Sequence, residues 1–189
     1  DEIPLQNCVQ IMQPLDQAQR RSVYAAVGLS RDVGNLTIME LQGEYDYGLT
    51  APRQLVAERF YQSPSDNYDF LVVFTSFEFE SGEALAFYNP VKTDVSGVGL
   101  PLFDHSTAFG SASRLQGYLD MAALGRNSYV IQEDRFQFTL QVFAHELMHR
   151  WGSRLSYLDG SGAVSQDLLG RDQLHWNYFL DSDASVMYG

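Results

Sequence analysis

His145-Glu146-Leu147-Met148-His149-Arg150-Trp151-Gly152 is the stretch on which the reading of this chain turns. Around it Phe136, Leu140, Phe143, Leu147 and Met148 recur every three to four residues, the period of a helix with one apolar face, and Gly152 is a stop signal. A helix is expected from about Asp134 to Trp151. Helix positions i and i+4 share a face, with Cβ atoms roughly 5–6 Å apart. His145 and His149 stand at that spacing, where two imidazoles can converge on one metal ion at about 2.0–2.1 Å per bond. Glu146 sits beside the first histidine, within reach of a water at such an ion. Only four histidines occur in the 189 residues, and two of them fall here. Coincidence is a poor account of that.

His-Glu-x-x-His is the zinc-peptidase signature. A catalytic Zn²⁺ takes three protein ligands and leaves a fourth position open, so a third ligand must be found. No glutamate follows Glu146 in the chain, which removes the arrangement in which a second helix supplies one. The candidates are His175 and the aspartates Asp159, Asp167, Asp172, Asp181 and Asp183. His175, in Leu174-His175-Trp176 between two loop segments, is the expected ligand, with Asp181 or Asp183 as the alternative. His105, beside Asp104, is expected to be structural or to line a cleft.

The length suits one domain, residues 1–189, large enough to bury a core. Hydrophobic residues make up 45% of the chain and aromatics 13%, the balance of a well-packed globular protein. No apolar run approaches the roughly 18 residues of a membrane span. With 24 acidic residues against 12 basic ones and a formal charge of −12, neither nucleic acid nor a membrane is an expected partner, because phosphate binding needs clustered Lys and Arg. A monomer acting on peptide or protein is expected. Cys8 is alone, so no internal disulfide framework exists, and an unpaired thiol is its expected state. The chain begins at Asp1 without methionine, as removal of a signal peptide or trimming of a longer chain would leave it, and the expected location is secreted or periplasmic.

Taken in order, residues 1–35 are polar and mixed, and Leu36–Leu41 reads as a first strand ending at Gly43. Thr50 is a candidate N-cap, with Pro52 in the first turn of a helix whose stripe is Leu55, Val56, Phe60 and Tyr61. Asp69–Thr75 is the strongest strand signal. Apolar on successive residues, it reads as a central strand covered on both faces, and Glu78-Phe79-Glu80 continues it with alternation. Ala84–Tyr88 is the next strand, halted by Asn89-Pro90, and Ser96–Pro101 is an edge strand or loop. A sheet edge beside a peptidase cleft is where an extended substrate can pair its backbone. Leu115–Met121 reads equally as helix or strand. The fold class is α+β.

The eight residues from His145 to Gly152 match the metzincin pattern His-Glu-x-x-His-x-x-Gly, and Ser185-Val186-Met187-Tyr188 resembles that clan's Met-turn. The third metzincin histidine normally lies three residues after the glycine, where this chain has Leu155. The resemblance therefore implies a displaced third ligand, and His175, ten residues before Ser185, fits. Tyr68–Thr75, Leu168–Asp172 and Asp181–Met187 also look like uncharacterised secreted bacterial metallopeptidase-like proteins. The resemblance implies a metzincin-like zincin domain, a twisted mixed β-sheet with packed helices and an active-site helix. It would be a zinc-dependent endopeptidase working through a metal-activated water, with one Zn²⁺ on His145, His149 and His175 and Glu146 as general base. Tyr188, Tyr157 or Tyr178 would stabilise the oxyanion, and Met187 would shape the floor beneath the metal. Asp159-Gly160 and Asp181–Asp183 are acidic loops of the kind that sometimes take Ca²⁺, without EF-hand spacing. The rival expectation is a secreted, non-catalytic binding domain that keeps the zinc scaffold. The intact Glu146 speaks against it.

Overall fold

The computed structural model describes residues 26–33, 36–46, 48–62, 66–82, 84–126, 134–151, 154, 156–177 and 187. Strands β1 (Ala26–Val33) and β2 (Leu36–Gln42) form an antiparallel pair, with a register shift between Val27 and Ser30. Helix α1 (Thr50–Tyr61) follows. A three-stranded mixed sheet is built from β3 (Phe70–Thr75), β4 (Phe87–Pro90) and β7 (Gly117–Ala123) in the order β3-β7-β4. The two-residue strands β5 (Lys92–Thr93) and β6 (Phe103–Asp104) pair between β4 and β7 in sequence. Helix α2 (Asp134–Met148) lies against β7 and β4, and a hairpin of β8 (Tyr157–Leu158) and β9 (Val164–Ser165) comes after it. The class is α+β. No helix among the described residues is long and apolar enough to cross a membrane.

Several local expectations change. The strand β1 lies in the stretch expected to be merely polar and mixed, Ala-Val-Gly-Leu-Ser-Arg-Asp-Val. Thr50 is the first helical residue rather than the cap; Leu49 holds the N-cap position and makes no side-chain cap bond. Phe70–Thr75 is an edge strand among the described residues, and its burial alternates, with Val72 exposed. The central strand is β7, the segment whose sequence reads two ways, and all seven of its residues are buried. It runs parallel to β3 and antiparallel to β4, so helices and loops must cover it on both faces. Residues Glu78–Glu80 add no strand, though Phe79 is buried in the core, and β4 runs through Asn89 and Pro90 rather than stopping before them. Proline is tolerated there because β4 is an edge. Ser96–Pro101 is loop. Gly99 has φ +78, and a Cβ on it would overlap the Arg154 carbonyl oxygen, so only glycine lets this loop press against the segment after α2.

The core joins Met39 and Leu41 of β2, Val56 and Ala57 of α1, Leu71 and Val73 of β3, and Tyr118 and Ala122 of β7. A charge pair lies inside it. Arg53 of α1 and Asp120 of β7 are 1% and 0% exposed, with Nη2 and Oδ2 3.0 Å apart. Arg53 Nε also donates to Oδ2 at 3.2 Å, and Nη1 donates to the carbonyls of Asp46 and Leu49. The Tyr45 hydroxyl donates to the same carboxylate at 2.6 Å and lies 3.0 Å from the Tyr118 hydroxyl. The guanidinium stacks over the rings of Tyr45 and Phe87, 4.6 and 4.5 Å from their centroids. Burial pushes the Asp120 carboxyl upward, while Arg53, Tyr45 and the Ala122 N–H hold it back.

Removing one partner of such a pair leaves a buried charge without compensation, which costs about 3–5 kcal/mol. Asp120→Ala should lower the urea unfolding free energy by that order. Asp32→Ala, which loses an exposed bond from Thr37, should change it by less than about 0.5 kcal/mol. Equal effects of the two substitutions would refute the dependence of the core on this pair.

Candidate metal centre

Helix α2 begins with Asp134 in its first turn, where a carboxylate favours the helix dipole, and carries His145 in its last turn. Only Thr139 and Glu146 among its residues are buried. After it the chain continues in turns through Trp151, with N–H to carbonyl bonds from His149 to Glu146, Arg150 to Leu147 and Trp151 to Met148. The last turn tightens to i→i+3 bonds, and the rings of His145 and His149 still stand 4.9 Å apart. Arg150, 4% exposed, anchors this end: its Nη2 donates to Asp94 Oδ1 at 2.9 Å and to Gln116 Oε1 at 2.8 Å. These acceptors sit just after β5 and just before β7. The zinc-motif helix is thus pinned to the sheet by a guanidinium.

The structure brings His145, His149 and His175 together. One ring nitrogen from each lies within 4.8 Å of the other two. The Nε2 atoms of His145 and His175 are 3.0 Å apart, and the three ring centroids are separated by 4.9, 4.9 and 5.1 Å. A tetrahedral ion bonded at roughly 2.0–2.1 Å spaces its ligand atoms about 3.3–3.4 Å apart. The observed spread brackets that distance. Three half-buried imidazoles with their nitrogens converging are a donor set that suits Zn²⁺.

Glu146 faces inward beside them, 5% exposed, with Oε2 4.0 Å from His149 Nε2. Burial pushes its carboxyl up to about 7; the Tyr88 backbone N–H of β4 pulls it down, and the charge of Asp120 on β7 adds to the rise. His149 moves the other way, down to about 4, through burial first and then the neighbouring His145, His175 and Arg154. Neither the Tyr88 N–H nor Arg150 is signalled by the sequence, since both act through where β4 and α2 meet.

Asp172, one of the aspartates weighed as a ligand, stands behind His175 instead, with Oδ2 2.5 Å from its Nδ1. His175 itself lies in a closed loop after β9. Asp159 spends its carboxylate on the β8–β9 turn, accepting from Ser161 N–H and Oγ–H and from Ala163 N–H. Those bonds keep it below the usual carboxylate range and account for it without Ca²⁺. His105 is exposed, with its ring stacked on Phe103 at 5.1 Å. Tyr157 is exposed on β8. Met187 is 1% exposed, and its carbonyl accepts the Trp176 N–H next to His175. Tyr188, Tyr178, Asp181, Asp183, Cys8, Leu155 and Gly152 lie outside the described residues.

The two opposed shifts give a pH signature. Glu146 is raised from 4.5, so its contribution to stability is full below about 4.5 and is lost as pH rises through 7. His149 is lowered from 6.5, so its contribution is full above 6.5 and is lost as pH falls through 4. Glu146→Gln cannot ionise, so it keeps the stability of the protonated form as pH rises, and it can still accept the Tyr88 N–H. In chelator-treated protein it should therefore raise stability at neutral pH, by on the order of 2 kcal/mol, and leave it unchanged near pH 4. Urea unfolding of both proteins across that range reads the difference directly. A Gln variant less stable than wild type at neutral pH would contradict the burial of an ionising Glu146.

No family model, curated protein or solved structure matches this chain, and the three histidines with Glu146 carry the functional reading by themselves.

Proposed function

We propose that the protein is a zinc-dependent endopeptidase of metzincin-like build. The observation that carries the reading is the convergence of three imidazole nitrogens within 4.8 Å beside a buried glutamate. A structural zinc site has no use for that carboxylate and is closed by a fourth protein ligand. His145, His149 and His175 hold the ion. A bound Zn²⁺ supplies Lewis acidity, which polarises a peptide carbonyl and eases loss of a proton from the attacking water.

Glu146 is the general base. It takes the proton of the attacking water and returns it to the leaving amine, so one carboxylate serves both halves of the reaction. Its acidity near neutral suits that exchange, because a base with a pKa close to the working pH both accepts and releases a proton. The Tyr88 N–H keeps the carboxylate aimed while the ring of His149 stands beside it. Among the described residues β4 is an edge of the sheet, next to α2, and an extended substrate is proposed to run along it. The substrate edge is then β4 rather than Ser96–Pro101.

Tyr188 is proposed as the stabiliser of the oxyanion. It directly follows Met187 in sequence, whose carbonyl accepts the N–H of Trp176, the neighbour of His175. The reading takes the protein to act on peptide or protein and to be secreted or periplasmic, and the excess of acidic residues, which disfavours self-association, supports a monomer.

Peptide-library cleavage read by mass spectrometry tests the function. Wild-type protein should yield fragments, chelator should abolish them and added Zn²⁺ should restore them. Glu146→Ala should retain one zinc per chain and lose at least about 10²–10⁴-fold in rate. Zinc-loaded wild type that yields no fragments would move the reading to a non-catalytic binding domain.

A further inference from the structure

The third ligand comes from a loop whose shape is set before any ion is considered. Its base is closed by a bridge between Leu169 and Trp176 and by the Asn177 N–H, which donates to the Leu168 carbonyl at 2.8 Å. Inside that, the Gly170 N–H donates to the His175 carbonyl at 2.7 Å, and the Gln173 N–H donates to the Gly170 carbonyl at 3.0 Å. The turn needs a left-handed residue, and Gln173 supplies it with φ +57. A side chain other than glycine in that region is strained by roughly 1–2 kcal/mol. Something must hold it there.

Asp172 does so with both oxygens. Oδ1 accepts the N–H groups of Leu174 and His175 at 3.0 and 3.3 Å, and Oδ2 lies 2.5 Å from His175 Nδ1. An ionised carboxylate only accepts, so the proton of this last bond sits on Nδ1. A neutral imidazole protonated on Nδ1 has a bare lone pair on Nε2. That is the atom found 3.0 Å from His145 Nε2.

We propose that Asp172 is the positioning residue of the third ligand. It fixes His175 in the Nδ1–H tautomer, fixes the ring plane, and turns a bare Nε2 toward His145 and His149. The inference rests on the metal-site reading. It assigns to Asp172 a role distinct from ligation. A carboxylate behind a ligating imidazole also raises its basicity, and loss of such a partner weakens metal binding by about 10–100-fold.

Two measurements test it. Long-range ¹H–¹⁵N spectra of chelator-treated wild type, taken above the histidine titration range, should show His175 protonated on Nδ1. In Asp172→Ala that preference should disappear. Competition titration with Zn²⁺ should then show Asp172→Ala weakened by about 10–100-fold, and Asp172→Asn, which keeps the shape but not the charge, weakened less. Gln173→Gly relieves the left-handed strain and should keep wild-type affinity, which separates positioning from loop stability. A His175 protonated on Nε2 in the wild type, or an Asp172→Ala affinity within about twofold of wild type, overturns the assignment to Asp172 alone. If Asp172→Ala does not fold, the tautomer in wild type and in Asp172→Asn decides. Wild type that takes up no zinc, or His145→Ala that binds it as tightly as wild type, overturns the metal site itself and the positioning role with it.

Discussion

The buried pair of Arg53 and Asp120 is the constraint on which the rest of the arrangement depends. Asp120 lies in the middle of a strand covered on every side, where a charge is tolerated only if its partner and hydrogen bonds are in place. The partner comes from α1, the hydroxyl from Tyr45 after β2, and one face of the guanidinium is covered by Phe87 of β4. One carboxylate therefore sets the position of α1, the β2–α1 connection and the edge strand relative to β7. Replacing such a cluster with apolar residues often leaves a protein as stable or more so. What the polar cluster supplies is register: a slip of β7 by one residue would turn Asp120 out of reach of Arg53 and Tyr45. Phe87 stands opposite Asp120 across the sheet, and Tyr88, its neighbour, bonds Glu146. Glu146 is thus linked through two adjacent residues of β4 to the core's own ion pair.

Helix α2 meets the sheet through polar side chains more than through apolar ones. Glu146 and Arg150, one turn apart, are its buried contacts at the site end, and Arg150 reaches Asp94 and Gln116 at opposite ends of the β5–β7 segment. Arg150 Nε and Nη1 are buried with no hydrogen-bond partner among the described residues. Unpaired donors of that kind are rare in folded proteins, and they mark this contact as one set by direction and charge rather than by apolar packing alone. The opposite side of the helix leaves Phe138, Leu140 and Met148 exposed.

The site was legible where chemistry repeats at helical spacing. His145 and His149 follow from the i, i+4 rule, and His175 follows from counting histidines after the motif. Sequence could not tell which of Asp172 and His175 joins the other two histidines: they are three apart in a loop, and only the left-handed turn at Gln173 folds the carboxylate back onto Nδ1. The sheet departs from expectation for a different reason. Phe70–Thr75 is apolar on successive residues, yet lies at an edge among the described residues, whereas Gly117–Ala123 contains a glycine and an aspartate, both poor strand formers, and lies between β3 and β4. Glycine is needed at 117 because the Tyr88 ring occupies the space where a Cβ would stand. The aspartate is explained only by an arginine distant in sequence. Tertiary pairing, not local preference, decided both.

His145 and His175 are separated by 30 residues, and the hairpin β8–β9 lies between them. That hairpin presents Leu158 and Val164 to solvent, and it pairs chiefly with itself. An ion held by both histidines therefore acts as a cross-link closing this stretch into a ring. Chain statistics put the entropy of closing a ring of that length at about 3 kcal/mol. On the proposed reading the bond that prepares the chemistry would also be a clasp, and the order of the span it closes would follow the free zinc concentration around it. On that reading a zinc-poor medium would open the clasp first and free the already exposed β8–β9 turn from its tether.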